Sequence, residues 1–451
     1  MADPAQSWSE VQPLPLGSGL DQAWLGQFPL RTAGRNIVTT KGDRFRLICA
    51  NWYGASDSKH VPCGLDLQSL DVLCASAKAM GFNSIRFPFS NEMLRQPVPE
   101  GAINLQLNPW AKGLSALQVY DETIRCMGKH KLAVIVNNHT TFGLFSGGME
   151  PNGIWFDPLE DSIYTKEQFI ADWIMLARRY SKWPHVIGYD LRNEVRPVPT
   201  ANGIIGEINH LQPVWNEGND EDVDWSIVSR QTSDRILQSG APGLLFIERI
   251  AFPQLGLADY AEHNGPLLPA LQGRLVLSLH SYWWSGPGHL GTIRGWVPFL
   301  RNFLDAWDKI VPSCRKGEGH HKQYGHMSLE ELREQTQLEW GFLLDQNICP
   351  VWVSEFGASR TNDEELGWLQ DFCTILRERS VDWAWWPLYA EDGPYPGKGG
   401  PDGAGGNESY GFMRKDWTPK SEEEVQQDRR IQLLRSAGMT PDPQAMAKVG
   451  R

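Results

Sequence analysis

The stretch HVIGYDLRNEV, residues 185–195, decides how the rest of the chain reads. Its apolar residues run on almost without alternation, as in a parallel strand covered on both faces. It then closes on three polar groups, Arg192, Asn193 and Glu194. Similar short runs recur at 45–51, 82–87, 132–138, 244–248, 274–280, 349–354 and 381–386. Helical patterns fall between most of them, at 66–80, 114–130, 165–181, 223–239, 328–346 and 363–379, and another at 421–436 follows the final strand. Asp66, Thr165 and Ser328 suit N-caps, and Glu331 completes a capping box with Ser328. The segment after Gly256 carries the weakest helical pattern. Eight strands alternating with helices over about 400 residues predict an α/β fold, a (β/α)8 TIM barrel. A doubly wound open sheet would show a Gly-rich phosphate loop after its first strand, and this chain has none.

Outward from the barrel, residues 1–34 are expected to form an N-terminal arm or wrap, 35–437 the catalytic domain and 438–451 a flexible tail. Residues 35–50 suggest two short strands around a Lys41-Gly42-Asp43 turn. Long insertions follow strand six, at 281–327, and strand eight, at 387–416. Both leave C-terminal strand ends, the face where barrel enzymes keep their sites.

The 451 residues carry 42 basic and 54 acidic side chains, a net charge of −12, which argues against nucleic acid or an anionic membrane as partner. No apolar run approaches the length of a membrane span. Twenty tryptophans suit either a large core or flat faces for sugar rings. Seven scattered cysteines include no CxxC pair, so neither a zinc nor a redox motif is signalled, and an odd count leaves at least one thiol without an intrachain partner. No metal and no organic cofactor are expected, and a monomer is. The opening MADPAQSWSE lacks the basic and apolar regions of a secretion signal, which leaves a cytoplasmic location open.

The barrel supplies a filter, since polar groups at C-terminal strand ends are site candidates. They are Arg86 in SIRFPF, His139 in VNNHTT, Asn193 and Glu194 in YDLRNEV, Glu248 in LFIERI, His280 and Tyr282 in LSLHSYWW, Glu355 in VWVSEFG, and Trp385 and Trp386 in WAWWPLY. Two carboxylates at one barrel mouth suit glycoside hydrolysis, which needs a nucleophilic carboxylate and a protonated carboxyl group. Each could instead be a buried ion-pair partner, with Arg192 or Arg86 for instance. Glu248 is read either as a substrate contact or as structural. His320, His321 and His326 lack an ordered ligand spacing and read as solvated loop. Asn407-Glu408-Ser409 is a glycosylation sequon. Trp52, Tyr53, Trp283 and Trp284 follow strands and could line a cleft or pack in the core.

Taken in order, IRFPF, NNHTT, LRNEV, LHSYWW, VSEFG and WAWWPL resemble the strand-end motifs of glycoside hydrolase family 5, the cellulase-like group, over about residues 35–420. The resemblance implies that Glu194 is the general acid/base and Glu355 the nucleophile. It implies that Asn193 bonds the sugar 2-hydroxyl, that Arg86 and Tyr282 flank Glu355, and that His139 and His280 line the cleaved subsite. Trp386 would floor it, with Trp385 as the alternative. A nearby guanidinium would hold Glu355 ionised, and Glu194 would carry a raised pKa. The implied partner is a β-linked oligo- or polysaccharide, first a β-1,4-glucan, with mannans, β-1,3 or mixed-linkage glucans and glycolipids as alternatives. The family implies an extracellular location. A catalytically dead carbohydrate-binding barrel would be expected to lack one glutamate. A Schiff-base aldolase needs a strand-end lysine, and none of the eight strands closes on one.

Overall fold

The computed structural model describes residues 19–144, 151–196 apart from 160, 198–199, 210–211, 213–215, 222–248, 250, 271, 273–286, 322–393 and 408–449. Eight parallel strands close a barrel in chain order. They are β1 (Ile48–Asn51), β2 (Ser84–Ser90), β3 (Ala133–Thr140), β4 (Val186–Asp190), β5 (Leu244–Glu248), β6 (Leu275–His280), β7 (Val351–Phe356) and β8 (Asp382–Trp385). All eight are those expected, with ends shifted by a few residues. Around them lie α1 (Leu70–Ala79), α2 (Ala116–Lys129), α3 (Lys166–Tyr180), α4 (Trp225–Gln238), α5 (Leu329–Thr336) and α6 (Asp363–Arg379).

The helices begin where local chemistry satisfies their free N–H groups. Ser115 and Gln118 form a capping box on α2, and Ser328 and Glu331 form one on α5. Thr165 caps α3, as expected. Asp66 does not cap α1. Ser69 does, because the helix starts later than the pattern suggested. The helix expected over 328–346 is interrupted by a π-helical stretch, Gln337–Gly341. The one expected at 421–436 breaks at Asp428, which caps a second segment and leaves α7 (Glu422–Gln427) and α8 (Arg429–Ser436).

Two apolar layers hold this together. Between strands and helices, α2 packs Tyr120 flat on Phe87, ring centroids 4.1 Å apart, with its hydroxyl donating to the Phe87 carbonyl. Inside the barrel, Cys49, Ala133, Ile135, Ile187, Leu244, Phe246, Val276, Trp352 and Ala384 form the lower core. The same cluster contains Leu20, Leu25, Phe28 and Leu30, so residues 19–30 plug the N-terminal end of the barrel. Of the two readings of the arm, the ordered wrap describes this part, while residues 1–18 lie outside the described residues. Fully burying one such side chain contributes about 1.5–3 kcal/mol.

The N-terminal hairpin pairs Arg31–Ala33 with Asn36–Val38, turning at Gly34. The expected Lys41-Gly42-Asp43 turn forms, closed by the Thr39 amide donating to the Asp43 carbonyl at 2.8 Å, and an isolated Val38–Arg44 bridge rather than a second strand follows it before β1. Residues 438–449 are not the flexible tail expected. Met439 and Met446 are buried, and the Asp442 amide donates to Ala79 at the end of α1 at 2.7 Å. Most of the first long insertion, 287–321, and the middle of the second, 394–407, lie outside the described residues, as do the helix sought after Gly256, His320, His321 and Asn407. No helix among the described residues is long and apolar enough to cross a membrane.

Candidate active site

Side chains on a strand alternate faces, so each barrel strand sends every second residue inward. These inward rows are apolar at the plugged end and polar at the other. Cys49 gives way to Asn51, Ile135 to Asn137 and His139, Phe246 to Glu248, Val276 to Ser278 and His280, and Ala384 to Trp386. In β7 the pairing with β6 slips, so that His280 faces Glu355 after Leu279 has faced Val353. The bulge turns two successive residues inward. Ser354 bonds Ser278 at 2.6 Å, and Glu355 reaches Arg86.

Arg86 is fully buried and organises the mouth. Its guanidinium donates to Asp190 at 2.6 Å, Asn51 at 3.0 Å, Glu355 at 2.5 Å and Asn193 at 2.9 Å. Burial opposes its charge, but Asp190 and Glu355 hold its pKa above the usual value. Tyr282 donates to the other Glu355 oxygen at 3.1 Å. Burial and the Glu355 charge raise the tyrosine, so it stays a donor.

Glu194 lies across the mouth with φ of +41°, a left-handed backbone that costs a side-chain residue about 1–3 kcal/mol. Glu248 helps to hold it there by accepting the Glu194 amide N–H. His280 bonds Glu194 through Nδ1 at 3.0 Å, and the same nitrogen is 3.4 Å from Glu355. Its Nε2 meets Glu248. Arg196 is 3.6 Å from Glu194. A ligand atom of each of Glu194, His280 and Glu355 lies within 4.8 Å of the other two. That set has donors a metal could use, but Arg86 already brings a positive charge to it.

The electrostatics reverse what the sequence suggested. Burial pushes Glu355 up to about 7 against the pull of His280 and Arg86. Burial would raise Glu194 too, but its bond to the His280 imidazolium, with Arg196 and Arg86, outweighs this and holds it below the usual range. His280 resists burial because Glu248, Glu355 and Glu194 surround it, and its pKa rises to about 10. In the free site the acidic proton therefore sits on His280, hydrogen-bonded to Glu194. The difference arises because three carboxylates share one imidazole, which a list of strand ends does not reveal.

The remaining expected residues fall around this group. His139 bonds Asn137 at 2.9 Å and is held neutral by burial and the surrounding cations. It stacks on Trp386, ring centroids 5.5 Å apart and 6° from parallel, and Tyr53 stacks on the same indole at 5.2 Å. Trp386 thus faces the site, whereas Trp385 is fully buried and bonds the Tyr410 carbonyl at 3.0 Å. Trp52 is core. Trp284 is partly exposed and stacks on Tyr282 at 5.2 Å, and Trp283 is also partly exposed. His326 is exposed, 6.4 Å from Trp283 between ring centroids. Within the sequon Glu408 is buried. Asn51, Asn137, Asp190, Arg196, Ser278 and Ser354 belong to the network and were not singled out from sequence. The two-residue period, followed back from each strand end, marks most of them.

Comparison with known proteins agrees with this geometry. The chain is 26% identical over 396 residues to an endoglucanase of Paenibacillus polymyxa, covering 86% of this chain and 83% of the relative. The solved hyperthermophilic endocellulase of Pyrococcus horikoshii superposes with a TM-score of 0.65 at 21% identity, covering 90% of this chain and 99% of the other. The catalytic domain of the major endoglucanase of Xanthomonas campestris pv. campestris gives 0.65 at 20% identity, covering 91% and 100%. Those two likenesses speak for the fold. The model of the Cellulase family matches residues 41–392, and the chain belongs to that family, glycosyl hydrolase family 5.

Proposed function

We propose that this glycoside hydrolase is a retaining endo-β-1,4-glucanase, with Glu355 as nucleophile and Glu194 as general acid/base. The supporting observation is the meeting of the two glutamates at His280 Nδ1, with an oxygen of each within 4.8 Å of the other. Direct attack on the anomeric carbon needs carboxyl groups about 5–5.5 Å apart, whereas an inverting enzyme leaves about 6.5–9.5 Å for a water.

Glu355 receives two donors, Arg86 and Tyr282, which aim it and favour its ionised form. Its oxygen bonds the anomeric carbon as the bond to the leaving oxygen breaks. That oxygen takes a proton that passes from His280 through Glu194 across their 3.0 Å bond, which leaves Glu194 ionised and His280 neutral. Glu194 then removes a proton from water, the water oxygen bonds the anomeric carbon, and Glu355 leaves. Asn193 is oriented for the sugar 2-hydroxyl by Arg86. Trp386, backed by Tyr53 and His139, offers a flat face to a pyranose ring.

The β-1,4-glucan assignment rests on relatives that are endoglucanases by name. A panel of defined β-glucan, mannan, xylan and glucosylceramide substrates tests it. Internal cleavage of a soluble cellulose derivative, with the β-anomer as first product by NMR, is expected. An α-anomer formed first, or turnover of mannan alone, would sink the proposal.

A further inference from the structure

On the outside of the barrel, α1 and α2 bring together four side chains that the hydrolytic site does not use. Asp71 and Cys74 are three residues apart on α1, and Cys126 and His130 are four apart on α2 and its C-cap. Both spacings place the pair on one helical face. Nε2 of His130 is 2.8 Å from Oδ1 of Asp71. One ligand atom from each of Asp71, Cys126 and His130 lies within 4.8 Å of the other two. The Cys126 thiol donates to the Leu70 carbonyl at 3.8 Å, and the buried Cys74 thiol is its electrostatic neighbour.

We propose that Asp71, Cys126 and His130 form a zinc site that ties α1 to α2. The donor set decides the metal. A thiolate, an imidazole and a carboxylate suit Zn²⁺, while calcium and magnesium call for oxygen ligands throughout. Bond lengths of about 2.0–2.3 Å put tetrahedral ligand atoms roughly 3.3–3.8 Å apart, which side-chain rotation reaches from the present spacing. Cys126 and Cys74 are buried, His130 is 21% exposed and Asp71 77% exposed in their side chains, so the cluster is walled inside and open outside. That opening admits the ion and a water as fourth ligand. Binding displaces the Cys126 thiol proton to solvent. With the site on the helical layer, the metal adds stability and leaves the hydrolytic groups untouched.

Protein treated with a chelator is titrated with Co²⁺ and then with Zn²⁺. One equivalent of Co²⁺ should produce a thiolate-to-cobalt charge-transfer band, which Zn²⁺ abolishes, and Zn²⁺ should raise the Tm. The Glu194, His280 and Glu355 group has no thiol, so a band that disappears in Cys126→Ser reports the helical site. Cys126→Ser should lose the band, and His130→Ala should weaken Zn²⁺ binding at least about tenfold, both with wild-type hydrolysis. If Cys126→Ser does not fold, Asp71→Asn and His130→Ala carry the test. Wild-type Zn²⁺ affinity in both of those, no band in the unmodified protein, or a Cys74–Cys126 disulfide in its unreduced mass spectrum would overturn the proposal.

Discussion

Glu194 and Glu355 converge on one atom, Nδ1 of His280, at 3.0 and 3.4 Å. Two buried carboxylates this close repel each other, and their ionisation is shared with the imidazole between them. The surroundings then separate their roles. Glu355 has Arg86 and Tyr282 as donors, while Glu194 faces the proton-bearing ring.

Glu355→Ala removes the proposed nucleophile and leaves Arg86 its bonds to Asp190, Asn51 and Asn193. Turnover should fall by several orders of magnitude with the fold retained. Azide or formate should partly restore cleavage of an activated aryl glycoside and give the inverted product. Near-wild-type activity would refute the assignment.

Glu194→Ala should matter most when the leaving group is poor. Polysaccharide cleavage should collapse, while an activated aryl glycoside still gives a burst of glycosyl-enzyme. The unmodified enzyme should lose kcat/KM as pH falls through about 7, where Glu355 takes up a proton and cannot attack. It should lose activity again as pH rises toward about 10, where His280 gives up the proton that supplies Glu194. A pH–rate profile unchanged across both ranges contradicts the proton inventory.

Phe28 is buried in the plug that closes the barrel, far along the inward rows from the polar end. Phe28→Ala should cost about 3–5 kcal/mol of stability. Denaturant unfolding checks this, and KM should stay unchanged. An unaltered midpoint would mean that residues 19–30 only rest on the surface.

How much of this was legible follows from the range of each interaction. The strands were readable because a parallel barrel buries both faces, which writes continuous apolar runs into the chain. Glu194 and Glu355 were readable because they stand at strand ends. The plug was not, since Leu25, Phe28 and Leu30 share no period with one another and gain meaning only from the barrel they close. Met439 and Met446 read as tail for the same reason. The proton on His280 depends on distances between β4, β5, β6 and β7, and no spacing within one segment encodes it.

Glu248 gives the last prediction. It stands at the end of β5 with one oxygen on His280 Nε2 and the other on the Glu194 amide. The sequence left it either touching substrate or structural. Its contacts suit a positioning residue that holds the His280 ring and the backbone of Glu194, the proposed proton donor. Glu248→Gln keeps the shape but removes a charge that holds His280 protonated. A lost hydrogen bond to a charged group costs about 1.5–3 kcal/mol, which is roughly 10- to 150-fold in kcat. KM should change little, because Glu248 acts through the His280 ring and the Glu194 amide. The alkaline limb should also move to lower pH, since His280 then loses its proton sooner. A purely structural residue would lower kcat without moving that limb, so a fixed limb in Glu248→Gln would remove Glu248 from the proton path.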